Sequence, residues 1–421
     1  MKRFFLSIAA GVLMLAASAA DPTATSYTAA ECQGSAMPYP DDRTAAEYPD
    51  SLTPVMINHV GRHGARFPSS ARYTVALMRA LQRADSLGTI TPLGRQLRQL
   101  CTRVSEDAKG HWGALDSLGM AEQRAIASRM YKGFPGLFGE GSRVEAVASY
   151  APRCIMSMYE FTHQLARMNN RIEIATTSGR QNSPLLRFFD ENSDYRSYID
   201  SGDWRKVYDD YLDQTCPVAP IERALGAGYP FEPGEKQDMA LNEYKVISGC
   251  AAMGIDAGWK RFFTLEEYND LWACSNLHHY LTYSASTLST APSEMAYTLL
   301  QNLIETTDLF LMDGGKFPGV ILRFGHAETL MPLLALMHIP GCYYMTNYFD
   351  TVRLHWRDFF SVPMAANLRL VLFKSESGRY YLRTDLNEQP VPLIPGRSTV
   401  YVPWETAREY LNRCIPIIYQ N

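Results

Sequence analysis

The 421-residue sequence lacks the features of several protein classes. After its first twenty residues it has no apolar run long enough for a transmembrane helix, and it has no internal repeat or low-complexity segment. Basic residues number 40 against 44 acidic ones, a net charge of −4, so no nucleic-acid partner is indicated, although a local basic pocket stays open. The 46% hydrophobic content is instead typical of a globular chain with a substantial core.

The eight cysteines include no C-x-x-C pair, which argues against a zinc ribbon or a thioredoxin-like centre. Whether these cysteines are expected to form disulfides depends on the cellular compartment, which the N-terminus indicates. Lys2 and Arg3 precede a short apolar stretch, residues 4–16, and Ala-Ser-Ala follows at residues 17–19. This pattern predicts a signal peptide over residues 1–20 and an exported, periplasmic or secreted chain with no stable membrane insertion after cleavage. An oxidising compartment permits disulfides, so a few disulfides alongside buried free thiols are expected.

Hydrophobic periodicity divides the rest of the chain into strands, helices and one helical insertion. The predicted strands are residues 54–60, 144–148, 172–175 and 319–324, with a hairpin over residues 367–374 and 379–383. Helical spacing covers residues 72–86 and 119–132. The alternation predicts an α/β fold, a doubly wound mixed sheet core formed by residues 21–184 and 291–421. Residues 185–290 are rich in aromatic residues and helix formers, and predict an inserted, mostly α-helical cap domain.

Two arginines and a histidine lie together directly after the first predicted strand, at Arg62, His63 and Arg66. Ligands of open α/β sheets bind outside the carboxyl ends of the strands, which is where this segment falls. The planar guanidinium of arginine suits tetrahedral oxyanions because it donates to two oxygens at once. Gly64 lets the backbone approach a ligand, and Pro68 stiffens the exit. The pattern predicts an oxyanion site, and the alternative is a surface turn with solvated arginines.

A second polar segment, His326 and Glu328, follows the strand predicted at residues 319–324. A carboxylic acid beside arginine and histidine is suited to donate a proton to a leaving alkoxide. The alternative is a polar turn in which Glu328 stabilises the first turn of a helix.

These segments resemble the signature of the histidine acid phosphatases. Residues 62–68, Arg-His-Gly-Ala-Arg-Phe-Pro, are similar to the RHGxRxP motif of that family. Residues 326–328, His-Ala-Glu, stand where most members have His-Asp, and resemble the variant of the multiple inositol polyphosphate phosphatases. Residues 113–119 are similar to the family's Gly-x-Leu-Thr-x-x-Gly segment, with Asp116 at the usual threonine. Residues 149–153 resemble the segment that supplies a further phosphate-binding arginine.

The resemblance implies a phosphomonoesterase that hydrolyses inositol polyphosphates, including inositol hexakisphosphate (phytate), through a phosphohistidine intermediate. It implies that His63 is the nucleophile and that Glu328 protonates the leaving oxygen and then activates water. The residues implied to hold the phosphoryl oxygens are Arg62, Arg66, Arg153 and His326. No metal and no cofactor are expected, because three arginines and a histidine supply the positive charge.

Two other functions remain open at this stage. The first is a broad-specificity acid phosphatase or a sugar-phosphate phosphatase on the same scaffold. The second is an exported protein that binds phosphate or phosphoinositides without turnover, which is disfavoured because binding alone needs neither a nucleophile nor a proton donor.

Further basic and histidine residues lie in or beside the predicted insertion. His278 and His279 are adjacent on a predicted helix and so do not face each other, which argues against a metal site. The basic residues mostly fit solvated faces, and one or two are expected to face the pocket and bind additional phosphates. They are Arg180, Arg187, Arg196, Arg205, Lys206 and Arg223.

Overall fold

A mixed β-sheet of eight strands organises the part of the chain that the computed structural model describes, residues 26–314 and 316–419. The predicted signal peptide, residues 1–20, lies outside those ranges. The strands are β1 Leu52–Arg62, β2 Arg143–Ala148, β3 Glu173–Ser178, β4 Val320–Gly325, β5 Asn367–Ser375, β6 Tyr380–Leu386, β7 Gln389–Val391 and β8 Tyr401–Pro403. The sheet order is β3-β2-β4-β1-β5-β6-β7, and β8 pairs with β6.

The predicted strands and the hairpin are confirmed, with small changes at their ends. β1, β2, β3 and β4 run parallel, whereas β5 and β6 are antiparallel to their neighbours. Every residue of β4 is buried, because helices cover this central strand on both faces. The predicted α/β class with a mixed, doubly wound sheet is therefore confirmed.

Sixteen α-helices, several of only one turn, surround the sheet within the described ranges. They are α1 Arg72–Ser86, α2 Pro92–Asp107, α3 Ser117–Gly133, α4 Pro152–Met168, α5 Ser183–Leu186, α6 Ser193–Ser201, α7 Trp204–Thr215, α8 Ala219–Leu225, α9 Glu235–Gly249, α10 Leu265–Tyr283, α11 Ala291–Glu294, α12 Tyr297–Met312, α13 Ala327–Leu336, α14 Val352–His355, α15 Asp358–Ser361 and α16 Trp404–Cys414. Within those ranges, no helix combines the length and apolar composition that a bilayer crossing requires.

Alternate residues of the strands pack into different apolar clusters on the two sheet faces. Leu322 and Phe324 of β4 join the cluster that contains Phe161 of α4, whereas Ile321 joins the cluster that contains Leu303 of α12. This alternation follows from the two-residue period of a strand. It lets one strand support helices on both sides.

The segment over residues 185–290 is helical and contributes no strand to the sheet in the described chain. A capping box at Thr264 and Glu267 starts its longest helix, α10. The apolar core of this segment is shared with α1 and α2, because Leu81 of α1 and Leu97 of α2 pack in one cluster with Trp272 of α10. The helical layer therefore includes two helices that come from before the predicted insertion, and the predicted domain boundaries stay a prediction.

All eight cysteines have free thiols in the structure, so the disulfides expected from the sequence are not formed. Six of the thiols are buried, and those of Cys216 and Cys414 are partly buried. Cys216 lies near Cys274 and, with burial, raises the pKa of the Cys274 thiol.

Candidate active site

The carboxyl ends of three adjacent parallel strands meet at one edge of the sheet. Arg62 of β1 pairs with Gly325 of β4, and Ala148 of β2 pairs with Phe324 on the other side of β4. Because parallel strands end at the same edge, the three segments that follow them are brought together there. These are the segments in which the sequence predicts phosphate-binding residues.

His63 leaves the end of β1 with a defined ring orientation. Its amide donates to the carbonyl oxygen of Gly325 at 3.1 Å, which ties it to β4. Its ring Nδ1 lies 2.9 Å from the carbonyl oxygen of Gly64. A carbonyl only accepts, so Nδ1 carries the proton and Nε2 keeps the free lone pair. Burial, together with the charges of Arg62 and Arg66, holds the pKa of His63 well below its usual value, so the imidazole is neutral.

Helix α3 holds the backbone around His63 through two side chains. Glu122 accepts from the amide of Ala65 at 2.7 Å and from the amide of Tyr39 at 2.8 Å, so one carboxylate links two segments. Gln123 donates to the carbonyl oxygen of Arg62 at 3.0 Å. Burial raises the pKa of Glu122 to about 7, and the two amide donors oppose that rise.

The loop after β1, residues 63–68, packs so closely on the start of α3 that glycine is needed at two positions. A Cβ atom at Gly64 would lie 2.5 Å from the carbonyl oxygen of Gly119, and one at Gly119 would lie 2.1 Å from that of Ala65. Asp116 caps α3 by accepting from the amide of Gly119 at 2.7 Å. Asp116 stands where the Gly-x-Leu-Thr-x-x-Gly segment has threonine, and both residue types can cap the N-terminus of a helix. On the other side, Ser157 of α4 accepts from the Gly64 amide at 3.1 Å.

Three guanidinium groups, those of Arg62, Arg66 and Arg153, line a cavity of about 260 Å³ at this edge. Arg62 is anchored because its Nη1 donates to the carbonyl oxygens of Ser35 and Val362, each at 2.5 Å. The Nε atom of each of the three arginines is buried and has no hydrogen-bond partner within the described chain. A cavity lined by three guanidinium groups suits a ligand rich in acceptor oxygens.

The positive charges are close enough to disturb one another. Burial lowers the pKa of Arg62 to about 10. Burial and repulsion from Arg153 and Arg62 lower the pKa of Arg66 to about 9. Both groups stay protonated at neutral pH, and an anion in the cavity would relieve the repulsion.

His326 stands at the end of β4 with cations at both ring nitrogens. Its ring centroid is 5.8 Å from that of His63. Nδ1 lies 3.2 Å from Nη2 of Arg153, and Nε2 lies 2.9 Å from Oγ of Ser149 and 3.0 Å from Nη1 of Arg187. A neutral imidazole accepts at one nitrogen only, so in either tautomer one guanidinium faces an N–H group. Burial and the charges of Arg153 and Arg187 lower the pKa of His326 to about 3.

Arg187 is the one arginine of the predicted insertion that contacts a predicted site residue through a hydrogen bond in the described chain. Its Nε donates to Asp190 at 2.7 Å, and its guanidinium lies 4.9 Å from the ring centroids of both Tyr150 and Phe189. These contacts hold it against His326. Nothing in the spacing of Arg187 distinguished it from the other basic residues of the segment, so only the fold reveals this position.

Glu328 lies in the first turn of α13 and lines the cavity. Burial raises its pKa, but the adjacent His326 and the positive charges of Arg62 and Arg153 outweigh burial, and the net pKa is below its usual value. The carboxylate is therefore ionised at neutral pH. It is well placed to hold a proton once a bound anion offsets the arginines.

The cavity shows no arrangement suited to a metal ion. In the described ranges, no group of three or more histidine, cysteine, aspartate or glutamate side chains could hold one. His278 and His279 do not form a joint site, because Nδ1 of His279 instead bonds Asp358 at 2.8 Å.

The fold brings all six predicted site residues to this edge. Those that line the cavity are His63, Glu328, Arg62, Arg66 and Arg153. His326 does not line it but lies directly behind, against Arg153 and the ring of His63.

Comparison with known proteins gives consistent relatives, although no family model matches the chain. The sequence is 23% identical to multiple inositol polyphosphate phosphatase 1 of Gallus gallus over 369 residues, which covers 85% of this chain and 81% of that protein. It is 24% identical to the Homo sapiens protein of that name, covering 83% of this chain and 77% of that protein.

Two solved structures share the fold. One is the Bifidobacterium longum multiple inositol polyphosphate phosphatase in complex with inositol hexasulfate, with a TM-score of 0.69, 17% identity and coverage of 89% of this chain and 96% of that one. The other is the phytase from D. castellii, with a TM-score of 0.69, 15% identity and coverage of 91% and 85%.

Proposed function

We infer that the chain is a histidine acid phosphatase, and we propose that it hydrolyses phosphomonoesters of inositol polyphosphates, including inositol hexakisphosphate. The observation that carries the proposal is the neutral imidazole of His63, with Nε2 unprotonated, at a cavity lined by three guanidinium groups and the carboxylate of Glu328. The names of the chicken and human relatives support inositol polyphosphates as the substrate class.

In the first step, Nε2 of His63 attacks the phosphorus atom in line with the ester bond. The P–N bond forms as the P–O bond breaks, and the leaving inositol oxygen takes a proton from Glu328. Because Nδ1 already donates to the Gly64 carbonyl, the ring is held by the nitrogen that does not react. The positive charge that the ring gains is stabilised by the phosphoryl group attached to it.

In the second step, water attacks the phosphohistidine and releases inorganic phosphate. Glu328, now a carboxylate, takes the proton from that water and returns to its starting state. The guanidinium groups of Arg62, Arg66 and Arg153, which line the cavity, are the donors available to the equatorial phosphoryl oxygens in both steps. His326 helps to position these guanidinium groups, because its ring contacts Arg153 on one side and Arg187 on the other.

The local charge explains how an acidic chain accommodates a polyanion. The whole sequence has a net charge of −4. The cavity, however, is lined by the cations Arg62, Arg66, Arg153 and Lys245 and by one carboxylate, that of Glu328, an excess of three positive charges before histidines are counted. A site of this sign concentrates and orients anionic substrates.

Replacing His63 with alanine tests the proposal. His63→Ala should reduce the release of inorganic phosphate from inositol hexakisphosphate to background, because the variant lacks the nitrogen that attacks the phosphorus atom. Circular dichroism and binding of inositol hexasulfate should show that the fold and the anion site persist. Turnover retained by a folded variant would exclude His63 as the nucleophile.

The alternative is a broad-specificity acid phosphatase or a sugar-phosphate phosphatase. Comparing kcat/KM for inositol hexakisphosphate, p-nitrophenyl phosphate and glucose 1-phosphate separates these activities. A preference of the wild-type enzyme for either monophosphate would favour the alternative.

Two further parts of the proposal concern the rest of the chain. Residues 1–20 act as a signal peptide, supported by Lys2 and Arg3 before an apolar stretch, and the enzyme is exported to a periplasm or the medium. N-terminal sequencing of the protein from each cell fraction tests export. Residues 185–290 act as a helical cap. This is supported by α9 and α10, whose residues line the cavity together with the loops that follow the strands.

A further inference from the structure

One peptide group stands between the nucleophile and a buried carboxylate. Nδ1 of His63 donates to the carbonyl oxygen of Gly64 at 2.9 Å. The amide of Ala65, which belongs to the same peptide group, donates to Oε2 of Glu122 at 2.7 Å. The peptide is trans, so its C=O and N–H bonds point in opposite directions. The imidazole of His63 and the carboxylate of Glu122 therefore occupy the two ends of one hydrogen-bonded chain.

The neighbours of this chain hold it in place. The second carboxylate oxygen of Glu122, Oε1, accepts from the amide of Tyr39 at 2.8 Å. On the other side of the loop, Oγ of Ser157 accepts from the amide of Gly64 at 3.1 Å. The backbone of Gly119 packs so closely that a Cβ atom there would lie 2.6 Å from the amide nitrogen of the next loop residue, at position 65. The carboxylate, the peptide group and the imidazole are thus preorganised, as an electrostatic effect on a transition state requires.

The carboxylate of Glu122 can act along this chain because it is shielded from water. The side chain is buried, and the charged groups that act on it are Arg62 of β1 and Asp116 at the start of α3. Both have partners of their own, since Arg62 donates to backbone carbonyl oxygens and Asp116 accepts from a backbone amide. In a low-dielectric interior, a charge polarises the hydrogen bonds in which it takes part, and the polarisation passes along the chain. The peptide group between residues 64 and 65 is the part of the chain that reaches His63.

The reaction places a positive charge at the far end of the chain. When Nε2 of His63 bonds to phosphorus, Nδ1 keeps its proton and the ring becomes a cation. The Gly64 carbonyl oxygen then accepts from a charged donor, and it is a stronger acceptor because the Glu122 carboxylate polarises the peptide group. This stabilisation is weaker for the neutral ring of the free enzyme, so it favours the transition state. No proton crosses the peptide group.

We propose that Glu122 is a positioning residue that stabilises the positive charge of the His63 ring during phosphoryl transfer, through the peptide group between Gly64 and Ala65. The inference rests on the proposed function and deepens it, because it assigns a role in the reaction to a carboxylate that does not line the cavity. In a catalytic triad, the buried carboxylate contacts Nδ1 of the histidine directly. Here one peptide group lies between the carboxylate and that nitrogen.

The first test compares Glu122→Gln with Glu106→Gln, a matched change at an exposed residue of α2. The substrate is p-nitrophenyl phosphate, whose leaving group does not depend on a proton from Glu328. The value of kcat/KM, which reports the free enzyme, is measured at about pH 5.5 and at about pH 8. Burial raises the pKa of Glu122 to about 7, so its carboxyl group is mostly protonated at the lower pH and mostly ionised at the higher.

Wild type and Glu122→Gln should have equal kcat/KM at the lower pH, because a protonated carboxyl group and an amide are both neutral. At the higher pH, wild type should be about three- to thirtyfold faster, the margin by which a charged hydrogen bond exceeds a neutral one. Glu106→Gln should match wild type at both pH values. If the ratio of wild type to Glu122→Gln is the same at the two pH values, the role of Glu122 is purely structural and the proposal is overturned.

A spectroscopic measurement depends neither on turnover nor on the Glu122→Gln variant. The Nδ1–H proton of His63 is assigned by its absence from the NMR spectrum of His63→Ala. In wild type it should move downfield as the pH rises through about 7, because ionised Glu122 strengthens its hydrogen bond to Gly64. His63, His326 and Glu328 have pKa values below their usual ones, so they do not titrate in this range. A resonance that stays in place would overturn the proposal, whereas a moving resonance in a protein that releases no phosphate would defeat the proposed function alone.

Discussion

Replacing Glu328 with glutamine should affect substrates according to how much their leaving groups need a proton. An inositol oxygen leaves as an alkoxide unless it is protonated, whereas p-nitrophenolate is a stable anion. Positioned acids contribute about 10²- to 10⁴-fold to such steps. Glu328 is the one carboxylate among the side chains that line the cavity, so no neighbour there replaces it. We therefore expect kcat/KM for inositol hexakisphosphate to fall by about 10²–10⁴-fold and that for p-nitrophenyl phosphate by less than about tenfold.

The quantity measured should be kcat/KM, because it reports the steps through the first phosphoryl transfer and excludes the later hydrolysis. Glutamine also removes a negative charge beside Arg62 and Arg153, so weaker substrate binding cannot explain a loss. Rapid mixing with p-nitrophenyl phosphate should show a burst of about one equivalent of p-nitrophenol, because the second step loses its base while the first proceeds. Equal losses of kcat/KM on both substrates would refute proton donation by Glu328.

The pH profile adds a check that depends on the same carboxyl group. The neighbouring His326 and the charges of the arginines lower the pKa of Glu328 despite its burial. Wild-type kcat/KM for inositol hexakisphosphate should therefore fall about tenfold per pH unit on the alkaline side, where the acid loses its proton. Glu328→Gln should lose this limb. Glu376→Gln, in the exposed turn between β5 and β6, is the matched control and should keep the wild-type profile.

Two more predictions concern the loop anchor and metal ions. Burial raises the pKa of Glu122 from its usual 4.5 to about 7. Between these pH values the folded protein binds more protons at Glu122 than the unfolded chain does, so the burial of this group lowers the stability progressively as the pH rises. The cost approaches about 3 kcal/mol above pH 7. Urea unfolding should therefore show that the free energy of unfolding of Glu122→Gln, relative to wild type, rises by about 3 kcal/mol between pH 4.5 and 7.5. A difference that does not change with pH would contradict the raised pKa of Glu122. EDTA should leave phosphate release unchanged, because guanidinium groups supply the positive charge, and inhibition reversed by added metal would contradict this.

Local sequence patterns determined the sheet strands and the main catalytic candidates. The largely apolar segment at residues 54–60 predicts a buried strand, and β1 spans Leu52–Arg62. The period of 3.6 over residues 72–86 likewise matches α1. Because residues 62–66 and 326–328 directly follow such strands, parallel pairing was enough to bring His63 and Glu328 to one edge.

Contacts between segments distant along the chain were decided by tertiary structure alone. The position of Arg187 against His326 depends on how the helices pack, and its spacing does not set it apart from the other basic residues. The same holds for Glu122, whose carboxylate reaches the amide of Ala65 across separate elements. Residue order encodes the period of each helix and strand, but the choice of neighbour depends on burying apolar faces and satisfying polar groups over the whole fold.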